Sequence, residues 1–155
     1  MQITLIADGA SKWHGFTRRW GISFLLGESI LFDTFGDEKV FMKNVRKFYV
    51  DLSKIRHIVI SHEDWDHIAG LWPVLEQHRD LTVYICPSFA SEIKHRIRSY
   101  GVKCVEVEKP LLIDDKIWST GELPGSSKGR IINEQSLVIK TSGGLALLCG
   151  CAHPK

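Results

Sequence analysis

The chain has 155 residues, 44% of them hydrophobic and 25% charged, with a formal net charge of +2 at pH 7. That length supports one domain, residues 1–155, with a proper core, and the composition is that of an ordinary soluble globular protein. No apolar run approaches the ~20 residues that a membrane-spanning helix needs. The opening Met1-Gln2-Ile3-Thr4-Leu5 reads as a first strand rather than a secretion signal, so a cytoplasmic protein is expected.

In chain order, Ile3 to Ala7 is a short apolar run, and Ile22, Phe24 and Leu26 recur at the period of two of a half-buried strand. Gly27-Glu28 turns the chain into Ser29–Asp33, which predicts a hairpin. Gly36 or Asp37 can cap a helix in which Val40, Phe41, Val45, Phe48 and Tyr49 recur at helical spacing. Arg56–Ile60 is nearly all apolar, the pattern of a strand buried on both faces. It releases the polar segment Ser61–His67, after which a helix carries Ile68, Leu71, Val74 and Leu75. Thr82–Ile85 and Val102–Val107 predict strands on either side of a helix capped by Ser88 and closed by Gly101. Residues 121–129 are loop by composition, and Gln135–Thr141 and Leu145–Cys149 predict two strands joined at Ser142-Gly143-Gly144. Strands interspersed with helices argue for an α/β layered fold.

The basic clusters Lys43/Arg46/Lys47 and Lys94/Arg96/Arg98 fall on predicted helices, where charges form solvated faces, so they do not argue for nucleic-acid binding. The basic excess suits an anionic small-molecule substrate without demanding one. Of the four cysteines, Cys86 and Cys104 sit in apolar runs and read as buried thiols. No CxxC spacing occurs, so free or metal-bound thiols are expected rather than disulfides.

The chemistry concentrates where the buried strand ends, in Ser61-His62-Glu63-Asp64-Trp65-Asp66-His67. Three carboxylates lie between two histidines, and carboxylates this close repel one another unless a cation joins them. Imidazole with carboxylate suits zinc, manganese or iron. His62 and Asp64 alternate and can reach one ion, while Asp66 and His67 can turn to a second. A polar loop with Asp66 as a helix cap is the alternative. The His-Glu-x-x-His zincin motif is excluded, because it requires His at position 66. Gly150-Cys151-Ala152-His153 forms a second feature, in which Cys149, Cys151 and His153 share a face if the backbone is extended. That permits a thiolate-containing site, although small buried residues account for the cysteines more simply.

Together these segments resemble the metallo-β-lactamase-like superfamily, whose first motif is His-x-His-x-Asp-His. Ile30-Leu31-Phe32-Asp33-Thr34 is similar to the family's strand before its first helix. Ile58–His62 with Asp66-His67-Ile68-Ala69-Gly70-Leu71 is similar to its metal-binding strand-loop-helix. Asn133-Glu134-Gln135-Ser136-Leu137 and Gly150–Pro154 further resemble the subgroup containing dihydropterin–ribofuranosylaminobenzene-phosphate synthases. The resemblance implies an αββα sandwich lacking the family's final strands, helix and last His ligand. Such a chain is a truncated product, a short relative or one completed by a partner. An open sheet edge makes a homo-oligomer a sensible expectation.

The resemblance also implies a ligand set and an activity. His62, Asp64 and His153 hold a first divalent ion, zinc foremost, and Asp66 and His67 a second, with Asp66 orienting or deprotonating the reacting water. Asp64 stands where the family usually has His, which shifts preference toward manganese or iron. A metal-dependent hydrolase of an ester, lactone or phosphoester is the leading expectation. A synthase or transferase of the named kind, or a non-catalytic metal-binding relative, are the alternatives. The loop between the first two strands carries candidate substrate contacts at His14, Arg18 and Arg19, with aromatics able to stack on a ring. Lys128 and Arg130 belong to a later loop of similar character.

Overall fold

A computed structural model describes residues 1–10 and 20–154 of the chain. A six-stranded sheet carries β1 (Ile3–Ala10), β2 (Trp20–Leu26), β3 (Ile30–Phe32), β4 (His57–Val59), β5 (Thr82–Ile85) and β6 (Lys103–Glu106) side by side in chain order. β1, β2 and β3 pair antiparallel, whereas β3 through β6 are parallel. Parallel neighbours need crossovers. These contain α1 (Glu38–Lys47), then α2 (Trp65–Ile68) with α3 (Leu71–Gln77), then α4 (Ser91–Ser99). β7 (Leu111–Asp114) and β8 (Ile117–Ser119) form a hairpin, and β9 (Ser126–Ser127) and β10 (Arg130–Ile131) a small ribbon. β11 (Leu137–Thr141) and β12 (Gly144–Leu148) complete a four-stranded antiparallel sheet in the order β12-β11-β8-β7.

Strand periodicity sorts the apolar side chains into two cores. Leu31, Ile58, Ile60, Val83 and Ile85 face the helices, where they meet Phe41, Val45, Leu71, Val74 and Ile97. Their alternating neighbours Ile30, Phe32, Val59 and Tyr84 face the second sheet and meet Ile113, Ile117, Leu137 and Ile139. The layers are therefore helices, sheet and sheet. No helix among the described residues covers the outer face of the second sheet, and Leu145 (74% exposed) and Leu147 (62%) stand out from β12. Gln135 ties the sheets together: its Nε2 donates to the carbonyls of Ile60 (2.8 Å) and Tyr84 (3.2 Å), and its Oε1 accepts from Ser119 Oγ at 2.7 Å.

Several local expectations need correction. The Asp37 side chain does cap α1, accepting from Val40 N at 2.9 Å. That helix stops at Lys47, however, and Phe48 and Tyr49 are exposed, Tyr49 at a positive φ of 54°. Met42 supplies the third buried apolar position instead. The single helix expected over residues 68–75 is divided at Ala69-Gly70, because the Gly70 and Ala69 amides bond to the carbonyls of Thr34 and Phe35. Ser88 does not cap α4, whose N-cap position is Ala90. The Ser88 amide donates to Glu122 and the Ala90 amide to Glu63. The basic cluster on α4 is engaged within the fold: Lys94 and Arg98 pair with Glu106, and Arg96 lies 3.7 Å from the Trp72 ring centroid.

Candidate metal centre

Three chain segments deliver the site to one edge of the structure: the ends of β3 and β4, and the turn that follows β12. His62 leaves the end of β4, where its neighbours Ile60 and Ser61 are fully buried. Asp66 and His67 lie in α2, which is clamped to the end of β3 by Thr34, whose amide and Oγ1 both donate to the His67 carbonyl (2.8 and 3.0 Å). The helix sits so close to β2 that a Cβ on Gly21 would fall 1.7 Å from the Asp66 carbonyl oxygen, and Gly21 has a φ of +103°. Only glycine suits both the space and the backbone there.

The side chains converge in two overlapping groups. Ligand atoms of His62, Cys151 and His153 lie within 4.8 Å of one another, as do those of Asp66, His67 and Cys151. The His62 and His67 rings are 4.1 Å apart between centroids, and His153 meets His62 edge-on at 5.0 Å. Each of the first two imidazoles is held from behind. His62 Nδ1 contacts Ser61 Oγ at 2.8 Å, and His67 Nδ1 contacts Asp33 Oδ2 at 2.6 Å. The Asp33 carboxylate also accepts from the Ser61 amide and hydroxyl, at 2.7 and 2.8 Å. Such partners orient a ligating imidazole and turn its Nε2 toward the ion.

The chemistry of this arrangement fits a bound metal ion. His62 Nε2 is buried, with the residue only 1% exposed, and it has no hydrogen-bond partner among the described residues. A buried ring nitrogen without a partner is costly unless something ligates it. Burial and the nearby His67 hold His62 below the ordinary histidine range, keeping it neutral as a ligand requires. Burial works against charge on His67 as well, but the Asp33 carboxylate outweighs it and the imidazole is pushed up to about 11. A cation at the cluster would compete with that proton.

The expected ligands do not all stand together. His62, Asp66, His67 and His153 converge, while Asp64 lies at the rim. One Asp64 oxygen is bonded to Arg130, and the other is 3.8 Å from His62 Nε2. Asp66 is in the first turn of α2 rather than at its cap, which is Asp64. Glu63 turns away to the Ala90 amide. His14, Arg18 and Arg19 lie outside the described residues.

Three contributors lie beyond the ligand set that the resemblance implies, and of these Cys151 alone was anticipated, as part of a permitted thiolate-containing site. Asp33 carries no motif of its own. Cys151 had the alternation signal, but Ala152 has a φ of +56°, so the segment is not extended. Glu134 is fully buried and accepts four backbone amides: Gly150 and Cys151 at 3.0 Å and Ala152 at 3.2 Å on Oε1, and His153 at 2.9 Å on Oε2. One carboxylate thus shapes the whole turn. Gly150 lets that turn lie against β4, since a Cβ there would fall 2.3 Å from Ser61 Oγ.

Two clefts open beside the cluster, on either side of the Asp64–Arg130 pair. One, of about 270 Å³, runs past His62, Glu63, Phe89 and Asn133. The other, of about 620 Å³, is lined by Trp20, Trp65, Lys128, Cys151 and His153.

A strand-edge cluster of histidines and carboxylates on two packed sheets marks the class of α/β fold, and comparison with known proteins agrees on that fold. Residues 23–133 match the family model of the metallo-beta-lactamase superfamily, and the chain belongs to that superfamily. It is 25% identical, over 97% of its length and 67% of the relative's, to 7,8-dihydropterin-6-methyl-4-(beta-D-ribofuranosyl)-aminobenzene-5'-phosphate synthase of Methanocaldococcus jannaschii. In structure it is similar to the metallo-beta-lactamase fold protein YhfI of Bacillus subtilis, with a TM-score of 0.66 and 16% identity. That match covers 94% of this chain and 59% of the other. Human tRNase Z, short form, is similar at a TM-score of 0.64 and 16% identity, covering 100% of this chain and 71% of that one. At these identities the structural likenesses establish the metallo-β-lactamase fold.

Proposed function

We propose that the cluster holds one or two divalent ions, zinc foremost, and that the protein hydrolyses an ester, lactone or phosphoester of a small molecule. The observation that carries this reading is the unpartnered Nε2 of buried His62, facing His153 and Cys151 and set beside Asp66 and His67. His62 and His153 hold one ion and Asp66 and His67 the other, with the free oxygen of Asp64 within reach of the first. A divalent ion at such a site supplies Lewis acidity and brings the pKa of water toward neutrality.

The rest of the work falls to the chain. Asp66, 6% exposed and with Oδ2 3.6 Å from His67 Nε2, takes the proton of the attacking water and returns it to the departing oxygen. Asp33 and Ser61 keep the imidazoles in register. The Trp20–Trp65 cleft receives the organic part of the substrate, and Lys128 and Arg130 attract an anionic group on it.

The test is elemental analysis of protein purified without chelators or a His-tag, followed by a screen of ester, lactone and phosphodiester substrates. About one to two equivalents of metal, lost in a His62→Ala, Asp66→Ala double variant, is the expected result. Near-zero metal that added ions do not restore would overturn it. A synthase or transferase is the second reading, favoured by the match to the Methanocaldococcus jannaschii synthase along 97% of this chain. Product analysis with dihydropterin and phosphorylated arylamine substrates separates condensation from hydrolysis.

A further inference from the structure

We infer that Cys151, rather than Asp64, is the additional ligand of the metal centre, and that its thiolate is shared by both groups of ligands. The inference rests on the metal-holding reading above. Cys151 Sγ belongs to both clusters of atoms within 4.8 Å and lies 3.1 Å from His67 Nε2. It is the only residue common to the His62/His153 group and the Asp66/His67 group among the described residues. An Sγ in that position can touch two ions, whereas Asp64 belongs to neither group and has one oxygen committed to Arg130.

The surrounding backbone is shaped to present this sulfur. Four consecutive amides, from Gly150 to His153, are gathered on the Glu134 carboxylate, which fixes Cys151 and His153 relative to one another. The left-handed conformation of Ala152 keeps residues 151 and 153 from simple strand alternation. Gly150 seats the turn against Ser61 and Asp33, the two residues that also orient His62 and His67. The independent sign that a ligand belongs here is the buried His62 Nε2 in the same cluster, which has no partner among the described residues.

Binding through Cys151 forms an S–metal bond and releases the thiol proton to solvent, with no change in oxidation state. A thiolate is a soft ligand, so it favours zinc, cobalt or cadmium over manganese or magnesium. The preference expected from an Asp64 ligand runs the other way. Asp64 then serves as the anchor of Arg130 at the partition between the two clefts.

The test loads the full chain with cobalt(II) and records its near-ultraviolet and visible spectrum. A thiolate-to-cobalt charge-transfer band is expected, lost in Cys151→Ser and kept in Cys149→Ser and Asp64→Asn. The Cys151→Ser protein should bind zinc roughly 10- to 100-fold more weakly, at least the loss seen when a ligand's supporting partner is removed, with a smaller change for manganese. In the unmodified chain, zinc should protect Cys151 from iodoacetamide, read residue by residue by mass spectrometry. That measurement decides the matter even if Cys151→Ser fails to fold. Cobalt-loaded protein without the band, or a band that survives Cys151→Ser, or Cys151 alkylated equally with and without zinc, overturns the assignment and leaves the metal-holding reading standing. Protein that takes up no metal overturns both.

Discussion

Asp33 Oδ2 lies 2.6 Å from His67 Nδ1, and both side chains are withdrawn from solvent, at 0% and 1% exposure. The same carboxylate bonds to the amide and hydroxyl of Ser61, so a single buried group braces the residues that hold both His62 and His67. Removing one member of a buried charged pair costs about 3–5 kcal/mol. Asp33→Ala should therefore destabilise the fold by about 3 kcal/mol or more, measured by urea denaturation. Asp33→Asn, which also tolerates the positive φ of 55° at this position, should lose less stability. It should still bind zinc roughly 10- to 100-fold more weakly, measured by chelator competition.

Glu134 is the second brace. Hydrogen bonds to a charged group contribute about 1.5–3 kcal/mol each in favourable cases. Glu134→Ala leaves the four amides of residues 150–153 without their acceptor. A loss of about 2 kcal/mol or more is expected. Hydrogen exchange should accelerate first at those four amides, and an unchanged exchange pattern would refute the role given to this carboxylate.

Gly150 tests how tightly the turn is seated. A Cβ there would meet Ser61 Oγ at 2.3 Å, Ser61 Cβ at 2.8 Å and Asp33 Oδ2 at 2.9 Å. Gly150→Ala should cost about 1–3 kcal/mol through forced displacement. Adding Ser61→Ala removes only the hydroxyl clash, so the double variant should recover part of the loss and no more.

Asp66 is the group to which the proposed hydrolysis gives the proton transfers. Asp66→Asn keeps the size of the side chain and should lower any hydrolytic turnover by roughly 10²- to 10⁴-fold, the usual worth of a positioned acid–base group. Kinetics run alongside elemental analysis distinguish a chemical defect from loss of metal. Unchanged turnover at unchanged metal content would remove Asp66 from the mechanism.

His57 links stability to pH. Its Nδ1 faces the Tyr84 hydroxyl at 3.1 Å, and burial lowers its pKa below the ordinary value of 6.5, with Asp114 acting in the opposite direction. At this residue the unfolded chain therefore binds more proton than the native one as pH falls below about 6.5. Its contribution is intact above that pH and is lost on acidification through the native pKa. Relative to His57→Gln, the urea midpoint of the parent chain should fall between about pH 7.5 and pH 5.5, a comparison in which the titration of His62 and His67, common to both proteins, cancels.

Much of the architecture was legible in local pattern. The unbroken apolar run Ile58, Val59 and Ile60 marked a strand covered on both faces, and it separates two cores as that pattern requires. Asp37 and Gly101 marked helix ends through chemistry confined to one turn. The polar run after Ile60 marked the place where histidines and carboxylates would gather. The supporting residues were less visible because their partners are far away in the chain. Nothing near Asp33 announces that it will meet His67, and nothing near Glu134 announces four amides that arrive sixteen or more positions later. The hairpin of β7 and β8 was not anticipated, since Leu111 and Leu112 are exposed and its strands are only 4 and 3 residues long. Helix α1 misled at Phe48 and Tyr49, where helical spacing continues but the helix does not.

His67 and Cys151 meet across 84 positions of sequence. During synthesis, the strand-loop-helix with His62, Asp66 and His67 emerges from the ribosome well before the turn carrying Cys151 and His153. Under the proposed ligand set, the half-built site can offer an ion only some of its ligands. Firm capture must wait until the second sheet has docked through Gln135 and brought the later residues into place. On the proposed metal-holding reading, metal uptake is a late folding event that reports completed tertiary structure, and a scarce ion would leave a pool of folded but more readily unfolded chains.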